Sequence, residues 1–276
     1  MLIIDTHAHI DQLADINGAL KRADEAGVSD IIAVSVDLGS MRKIADIAAI
    51  HGSTELALSK AEGLTTGARP RIHPAFGVHP CLAGRQAGMI KPQEFMEAQA
   101  FMHAHLPHAV AVGETGLDYW YKQARKDGAE RDQQKASFQA HLDLANEFDL
   151  PIIIHSRGAW GDCLAMTKAA RVRRALFHWY SGPLDILDGI LEGGYYVSTS
   201  PSVAYSPQSR EAMAHAPLER ILVETDSPVR YNGPQPFDAE PKDVLRTWTA
   251  LSRLKNEDEA VVLGTLNANA KTFFRI

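Results

Sequence analysis

Histidines and acids that could hold divalent metal ions recur along this chain, each at or just after a short apolar run. Asp5, His7 and His9 follow Leu2 to Ile4, His79 follows Ile72 to Val78, and Glu114 and Asp118 follow Ala109 to Val112. His155 follows Pro151 to Ile154, His178 closes Ala175 to Phe177, and Asp226 follows Arg220 to Val223. In an extended stretch alternate side chains share a side, so His7 and His9 can grip one ion. That spacing alone arises cheaply: His103-Ala104-His105 repeats it in a stretch that reads, with His108, as solvated helix surface. Four imidazoles at run ends together with Glu114 and Asp226 are a stronger signal. They exceed what one four-coordinate ion uses, which points to two ions sharing a carboxylate and a water. Nitrogen and oxygen donors without thiolate suit Zn, Mn, Fe or Ni and suit Mg less well, so the identity stays open among these. The chemistry such a set supports is metal-assisted hydrolysis.

For these residues to meet, the elements that carry them must converge. Besides the runs above, Asp30 to Val36 and Tyr195 to Ser198 are rich in β-branched residues, which makes eight candidate strands. Between them lie segments of helical spacing, such as Asp132 to Phe148, with Phe138, Leu142 and Ala145 at three- and four-residue steps, and Pro183 to Leu191. Continuous apolar strands alternating with amphipathic helices imply an α/β fold with a parallel sheet, and eight units in this length match a (β/α)8 TIM barrel. An open doubly wound sheet is the alternative, but no Gly-x-Gly-x-x-Gly or Walker-type loop follows any run. In the barrel the strand C-termini share one rim, where residues distant in sequence face a common pocket. Residues 1–276 are expected to form a single domain, with 60–71 and 231–241 as loops rather than linkers.

Composition narrows the setting. The 276 residues are 45% hydrophobic and 22% charged with a net charge of −6, which excludes disorder and coating of nucleic acid by bulk positive charge. Cys81 and Cys163 are too few and too far apart for a disulfide framework or a thiolate zinc site. With neither a leader-like start nor a membrane-length apolar run, a cytoplasmic protein, expected to be monomeric, is the simplest reading. Lys168, Arg171, Arg173 and Arg174 precede the sixth strand and so belong to the barrel's bottom rim. Lys122, Arg125, Lys126 and Arg131 follow the fourth strand on the active rim, interleaved with Tyr119, Trp120 and Tyr121, a pattern used for single strands. Asp127, Glu130 and Asp132 among them leave a self-neutralising loop equally open, and Trp179 and Tyr180 suit either base stacking or core packing.

Seven blocks in order carry a resemblance: Asp5-Thr6-His7-Ala8-His9, Gly77-Val78-His79-Pro80, Gly113-Glu114-Thr115-Gly116-Leu117-Asp118-Tyr119, Pro151 through Arg157, His178 before Ser181-Gly182, Leu222 through Pro228, and Asn269-Ala270-Lys271. On these the chain resembles, from end to end, the TatD-type deoxyribonuclease family of the metal-dependent amidohydrolase superfamily. The resemblance implies that His7 and His9 hold the first of two divalent ions with Asp226, that Glu114 bridges, and that His155 and His178 hold the second. It implies Asp226 as the group that orients and deprotonates the attacking water, with Glu114 the second catalytic carboxylate. DNA, single-stranded or at 3′ ends, becomes the expected substrate, cleaved as by a 3′-to-5′ exonuclease. His79, Arg157 and Tyr119 are the expected substrate contacts, Arg157 because a guanidinium suits a bidentate phosphate grip. Pairing of Arg157 to Asp118 or Glu224 is the competing reading.

The sequence departs from the family pattern at Cys81, where a second histidine is common, at Trp179-Tyr180, and over 232–240, where relatives carry basic residues. None of these is a ligand, so substrate grip rather than chemistry is affected. Two alternatives accompany the nuclease reading. One is an ester or amide hydrolase of the same superfamily, such as a D-aminoacyl-tRNA deacylase; the other is a non-catalytic scaffold subunit of a defence or repair complex.

Overall fold

A computed structural model describes residues 2–51, 70–81, 92–121, 124–125 and 128–276; Lys122, Lys126 and nearly all of the 60–71 loop lie outside it. Eight strands, β1 (Ile3–Ala8), β2 (Val28–Val34), β3 (Arg71–Phe76), β4 (Ala111–Gly116), β5 (Ile152–His155), β6 (Ala175–Phe177), β7 (Tyr196–Thr199) and β8 (Ile221–Val223), pair in parallel in chain order. Each of the eight expected runs is one of them. Around the strands lie α1 (Ile16–Ala26), α2 (Leu38–His51), α3 (Pro92–His105), α4 (Gly128–Glu147), α5 (Trp160–Ala169), α6 (Leu184–Glu192), α7 (Pro207–His215), α8 (Val244–Lys255) and α9 (Glu259–Phe274). A short antiparallel hairpin, β9 (Arg230–Tyr231) with β10 (Phe237–Asp238), follows β8 inside the stretch read as a loop. The fold is a TIM barrel. Among the described residues no helix is long and apolar enough to cross a membrane.

Two cores hold the layers. Inside the barrel Ile4, Ile32, Val34, Ala75, Ala111, Ile153, Leu176 and Leu222 pack together with Phe273 and Phe274 from the end of α9. Phe273 lies against Tyr196, the first residue of β7, so the chain end closes the barrel's N-terminal mouth. A larger core between strands and helices includes Leu20, Met41, Met102, Phe138, Leu142 and Leu187. The 3.6-residue spacing of Phe138, Leu142 and Ala145 buries one face of α4 as expected, although the helix begins at Gly128, ahead of the expected Asp132.

Two strands run further than their apolar runs suggest. β1 continues through Asp5 and His7 to Ala8, and β4 continues through Glu114 to Gly116, with every residue of both buried. A polar residue ends an apolar pattern in sequence, but a strand's ladder is made by its backbone and extends wherever buried polar side chains find partners.

The barrel closes where β1 meets the segment leaving β8. Ala8 bridges Ser227, Asp226 N–H donates to His7 O (2.9 Å), His9 N–H donates to Ser227 O (2.8 Å), and the Thr6 hydroxyl donates to Val223 O (2.9 Å). Beneath them Asp5, fully buried, accepts from Thr225 N–H at 3.0 Å and from the Thr225 hydroxyl at 2.6 Å. Burial outweighs these bonds and pushes the Asp5 carboxyl well above the usual carboxylate range. Thr225→Val strips one bond from Asp5 and the acceptor from Ser227 N–H. It should lower the unfolding free energy by about 1–3 kcal/mol, read as a lower urea midpoint at unchanged slope.

Candidate metal centre

The seam puts one donor set in place. His7 Nε2 and His9 Nε2 stand 3.3 Å apart. Glu114 Oε2 lies 3.4 Å from each, and Asp226 Oδ1 lies 3.5 Å from His7 and 3.3 Å from His9. Donors bound at about 2.1 Å around a tetrahedral ion stand about 3.4 Å from one another, so five edges of such a tetrahedron are present. Among the described residues no lysine or arginine is paired with these carboxylates, and the donor set fits a divalent cation. Asp226 takes a left-handed conformation (φ 49°), a position that costs a non-glycine residue about 1–2 kcal/mol and that the seam bonds enforce.

The other oxygen of Glu114 serves a second set. Oε1 lies 2.7 Å from His178 Nε2, 2.9 Å from His155 Nδ1 and 3.6 Å from His79 Nε2. His155 Nδ1 is in turn 3.4 Å from His178 Nε2 and 3.2 Å from His79 Nε2. Gly113 ahead of Glu114 adopts φ 146°, and a Cβ there would stand 2.8 Å from Ile153 Cβ, so the backbone that presents Glu114 calls for glycine.

Outer partners fix the rings. His9 Nδ1 is 2.8 Å from Val34 O, His155 Nε2 is 3.0 Å from Asp118 Oδ2, and His178 Nδ1 is 3.3 Å from Glu224 Oε1. Glu224, fully buried, takes the Ser198 hydroxyl on Oε2 at 2.5 Å. His7, His178 and Glu224 also offer three donor atoms within 4.8 Å of one another, yet Glu224 does not line the cavity and holds the far nitrogen of His178, the position of an orienting partner.

Electrostatically the centre is paired imidazole and carboxylate. Burial pulls the His9 imidazole down, but bonds to Asp226 and Glu114 outweigh it and hold it up at about 10. The same balance raises His155 and carries His178 well above its ordinary value. Burial alone would raise Glu114 and Asp226, but His178 and His79 around the first, and His9 and His7 around the second, take both down. His79 goes the other way, burial lowering it to about 3.

A family model described as TatD related DNase matches residues 4–275. The chain belongs to this family. A Mycobacterium tuberculosis protein, the uncharacterized metal-dependent hydrolase TatD, is 30% identical over 285 residues, covering 96% of this chain and 96% of its own. Escherichia coli YcfH, also an uncharacterized metal-dependent hydrolase, is 28% identical over 95% of this chain and 92% of its own. In structure the chain is similar to a crystal structure of YjjV, a TatD homolog of Escherichia coli, with a TM-score of 0.81 and 26% identity over 99% of this chain and 98% of that one.

The TatD barrel mouth opens into a cavity of roughly 890 Å³ lined by His9, His79, Cys81, Glu114, His155, Arg157, His178 and Asp226, with Trp120, Trp160, Trp179 and Tyr205 around them. All six expected ligands thus fall in the two donor sets, His7 behind the others and fully buried. His79, expected as a phosphate contact, stands in the second set. Arg157 reaches the cavity and pairs with neither Asp118 nor Glu224; its guanidinium lies 5.3 Å from the Trp120 ring centroid. Tyr119 is not brought to the cavity: its hydroxyl donates to Asp162 at 2.8 Å and its ring lies under Arg131, while the turn after β4, pinned by Asp118, brings Trp120 to the cavity instead. Of the altered positions, Trp179 lines the mouth while Tyr180 is core. Cys81 lines it too, its thiol pushed up by burial and by Asp118. Arg173 and Arg174 sit at the opposite end, on Asp149 and the Phe273 carbonyl.

Sequence reasoning missed Glu224 and Asp118 as ring-orienting residues. Each stands two or four positions from a ligand carboxylate, which is the available signal. Glu224→Ala should weaken divalent-metal affinity about 10–100-fold in a calorimetric titration. The raised imidazoles predict a pH effect as well. A His9 value near 10 against 6.5 stabilises the metal-free fold fully below about pH 6.5, and that contribution is lost as pH rises through about 10. Thermal midpoints of chelated protein should fall over pH 7–10, while added Mn²⁺, which replaces those protons, should raise the midpoint more at pH 8 than at pH 6.

Proposed function

We propose that this chain hydrolyses DNA phosphodiester bonds at a centre of two divalent ions, releasing nucleotides from a 3′ end. What supports the reading above all is Glu114, whose two oxygens each face a separate histidine set. His7, His9 and Asp226 would hold one ion and His155 and His178 the other, with His79 a further donor beside the second. When bound, such ions lower the pKa of a water toward neutrality and neutralise charge on a phosphoryl group.

The protein's part is placement and proton handling. Asp226 lines the cavity and accepts the proton of the attacking water. Asp118 and Glu224 keep the His155 and His178 rings from turning, so that the hydrolytic position is set before substrate arrives. Arg157 offers its fork to the non-bridging oxygens of the phosphate. The family description and the relatives' hydrolase names favour this over a scaffold role.

Metal-reconstituted protein given end-labelled single-stranded DNA should ladder it from one end, and EDTA should stop the reaction. Asp226→Ala should lower the rate roughly 10²–10⁴-fold. Intact DNA beside protein shown to carry metal would move the reading to ester or amide hydrolysis.

A further inference from the structure

Trp120 is placed by the same carboxylate that places a histidine of the metal centre. Its backbone N–H and that of Tyr121 donate to Asp118 Oδ1 at 2.8 and 2.9 Å, while Asp118 Oδ2 lies 3.0 Å from His155 Nε2. Gly158, at φ 71°, makes room for the indole, since a Cβ there would stand 2.2 Å from Trp120 Cδ1. Below the loop Arg131 donates to Ala124 O at 2.6 Å, and Tyr119 N–H donates to Arg157 O at 3.0 Å. The backbone that carries the ring is thereby placed, and Trp120 remains 53% exposed at the cavity mouth. The guanidiniums of Arg125 and Arg157 lie over the indole at 5.2 and 5.3 Å from its centroid, and the residue still keeps more than half of its surface open.

A large aromatic ring set at the cavity mouth and more than half exposed beside a hydrolytic centre has a specific use. We propose that Trp120 is a stacking platform for one unpaired base of a single-stranded DNA substrate, with Arg157 and Arg125 taking the phosphates on either side of that base. The inference rests on the DNA reading of the site and narrows it to a strand engaged through a splayed base, because a base inside a duplex presents no free face. Asp118 acts as a positioning residue: tying both the Trp120 backbone and the His155 ring to one carboxylate sets the distance from stacked base to scissile phosphate. Charge alone gives little grip here. Arg157 is the one Arg or Lys among the described residues lining the cavity, and Asp37 lines it too. A cavity of roughly 890 Å³ is also of the size that takes one nucleotide rather than a double helix.

The test separates base from backbone. Full-length, Mn²⁺-loaded protein is titrated calorimetrically with phosphorothioate-linked pentathymidylate, which resists hydrolysis, and with a phosphorothioate pentamer carrying tetrahydrofuran in place of every base. Wild type should bind the thymidylate about 10- to 100-fold more tightly than the abasic pentamer. Trp120→Ala should lose that preference, Trp120→Phe should keep most of it, and all three proteins should bind the abasic pentamer alike. A Trp120→Ala protein of unchanged metal content that retains the wild-type preference overturns the platform, as does a wild type without one. Wild type that shows the stacking pattern but leaves unmodified pentathymidylate intact keeps the platform and removes the nuclease reading. Wild type that binds neither pentamer removes both.

Discussion

The mouth of this barrel depends on how β1 meets the segment leaving β8. That junction is what closes the sheet, and here it is made by few backbone bonds and a buried carboxyl, Asp5, clasped by Thr225. His7, His9 and Asp226 lie directly on it, so the bonds that shut the barrel are also the bonds that set donor separations at tetrahedral spacing. A one-residue slip would turn alternate side chains to the other face and scatter the set. Closure and assembly of the donor set are therefore one structural event, and the left-handed backbone at Asp226 is tolerated because the seam holds it on both sides.

Above an apolar barrel floor, the top of the interior is a layer of charge with no room for misplacement. Most of its groups are satisfied in pairs, although His7 Nδ1 is buried without a partner. His9, His155 and His178 each have one nitrogen on the centre and the other on a carbonyl or carboxylate, His79 Nδ1 instead accepts from Cys81 N–H, and Glu114 spans both donor sets. These carboxylates hold the His9, His155 and His178 imidazoles above their ordinary values, so protons and metal ions compete for the same positions. A buried cluster of this kind is costly to hold together unpaired, and the arrangement makes sense as a site awaiting positive charge.

The fold and the positions that gather at the barrel mouth were legible in the sequence for the same reason. β-branched runs mark strands that are buried on both faces, and a polar residue at the end of such a run is conspicuous because nothing apolar demands it. His7, His9, Glu114, His155, His178 and Asp226 stood out in this way. What pattern could not convey was three-dimensional direction. Tyr119 and Trp120 are neighbours of similar type, and only the turn after β4, pinned by Asp118, decides that Trp120 faces the cavity while Tyr119 bonds Asp162. Glu224 and Asp118 resemble any acids near a rim until the rings they hold are seen. His79 looked like a phosphate contact by position, whereas its distance to Glu114 depends on where β3 sits against β5 across β4.

The central claim is that Glu114 divides one pocket between two ions. Anomalous scattering from crystals of Mn²⁺-loaded protein tests it most directly. Two peaks on either side of the Glu114 carboxylate are predicted, one among His7, His9 and Asp226 and the other between His155 and His178. A single peak, or peaks that leave either oxygen of Glu114 without an ion, would contradict it.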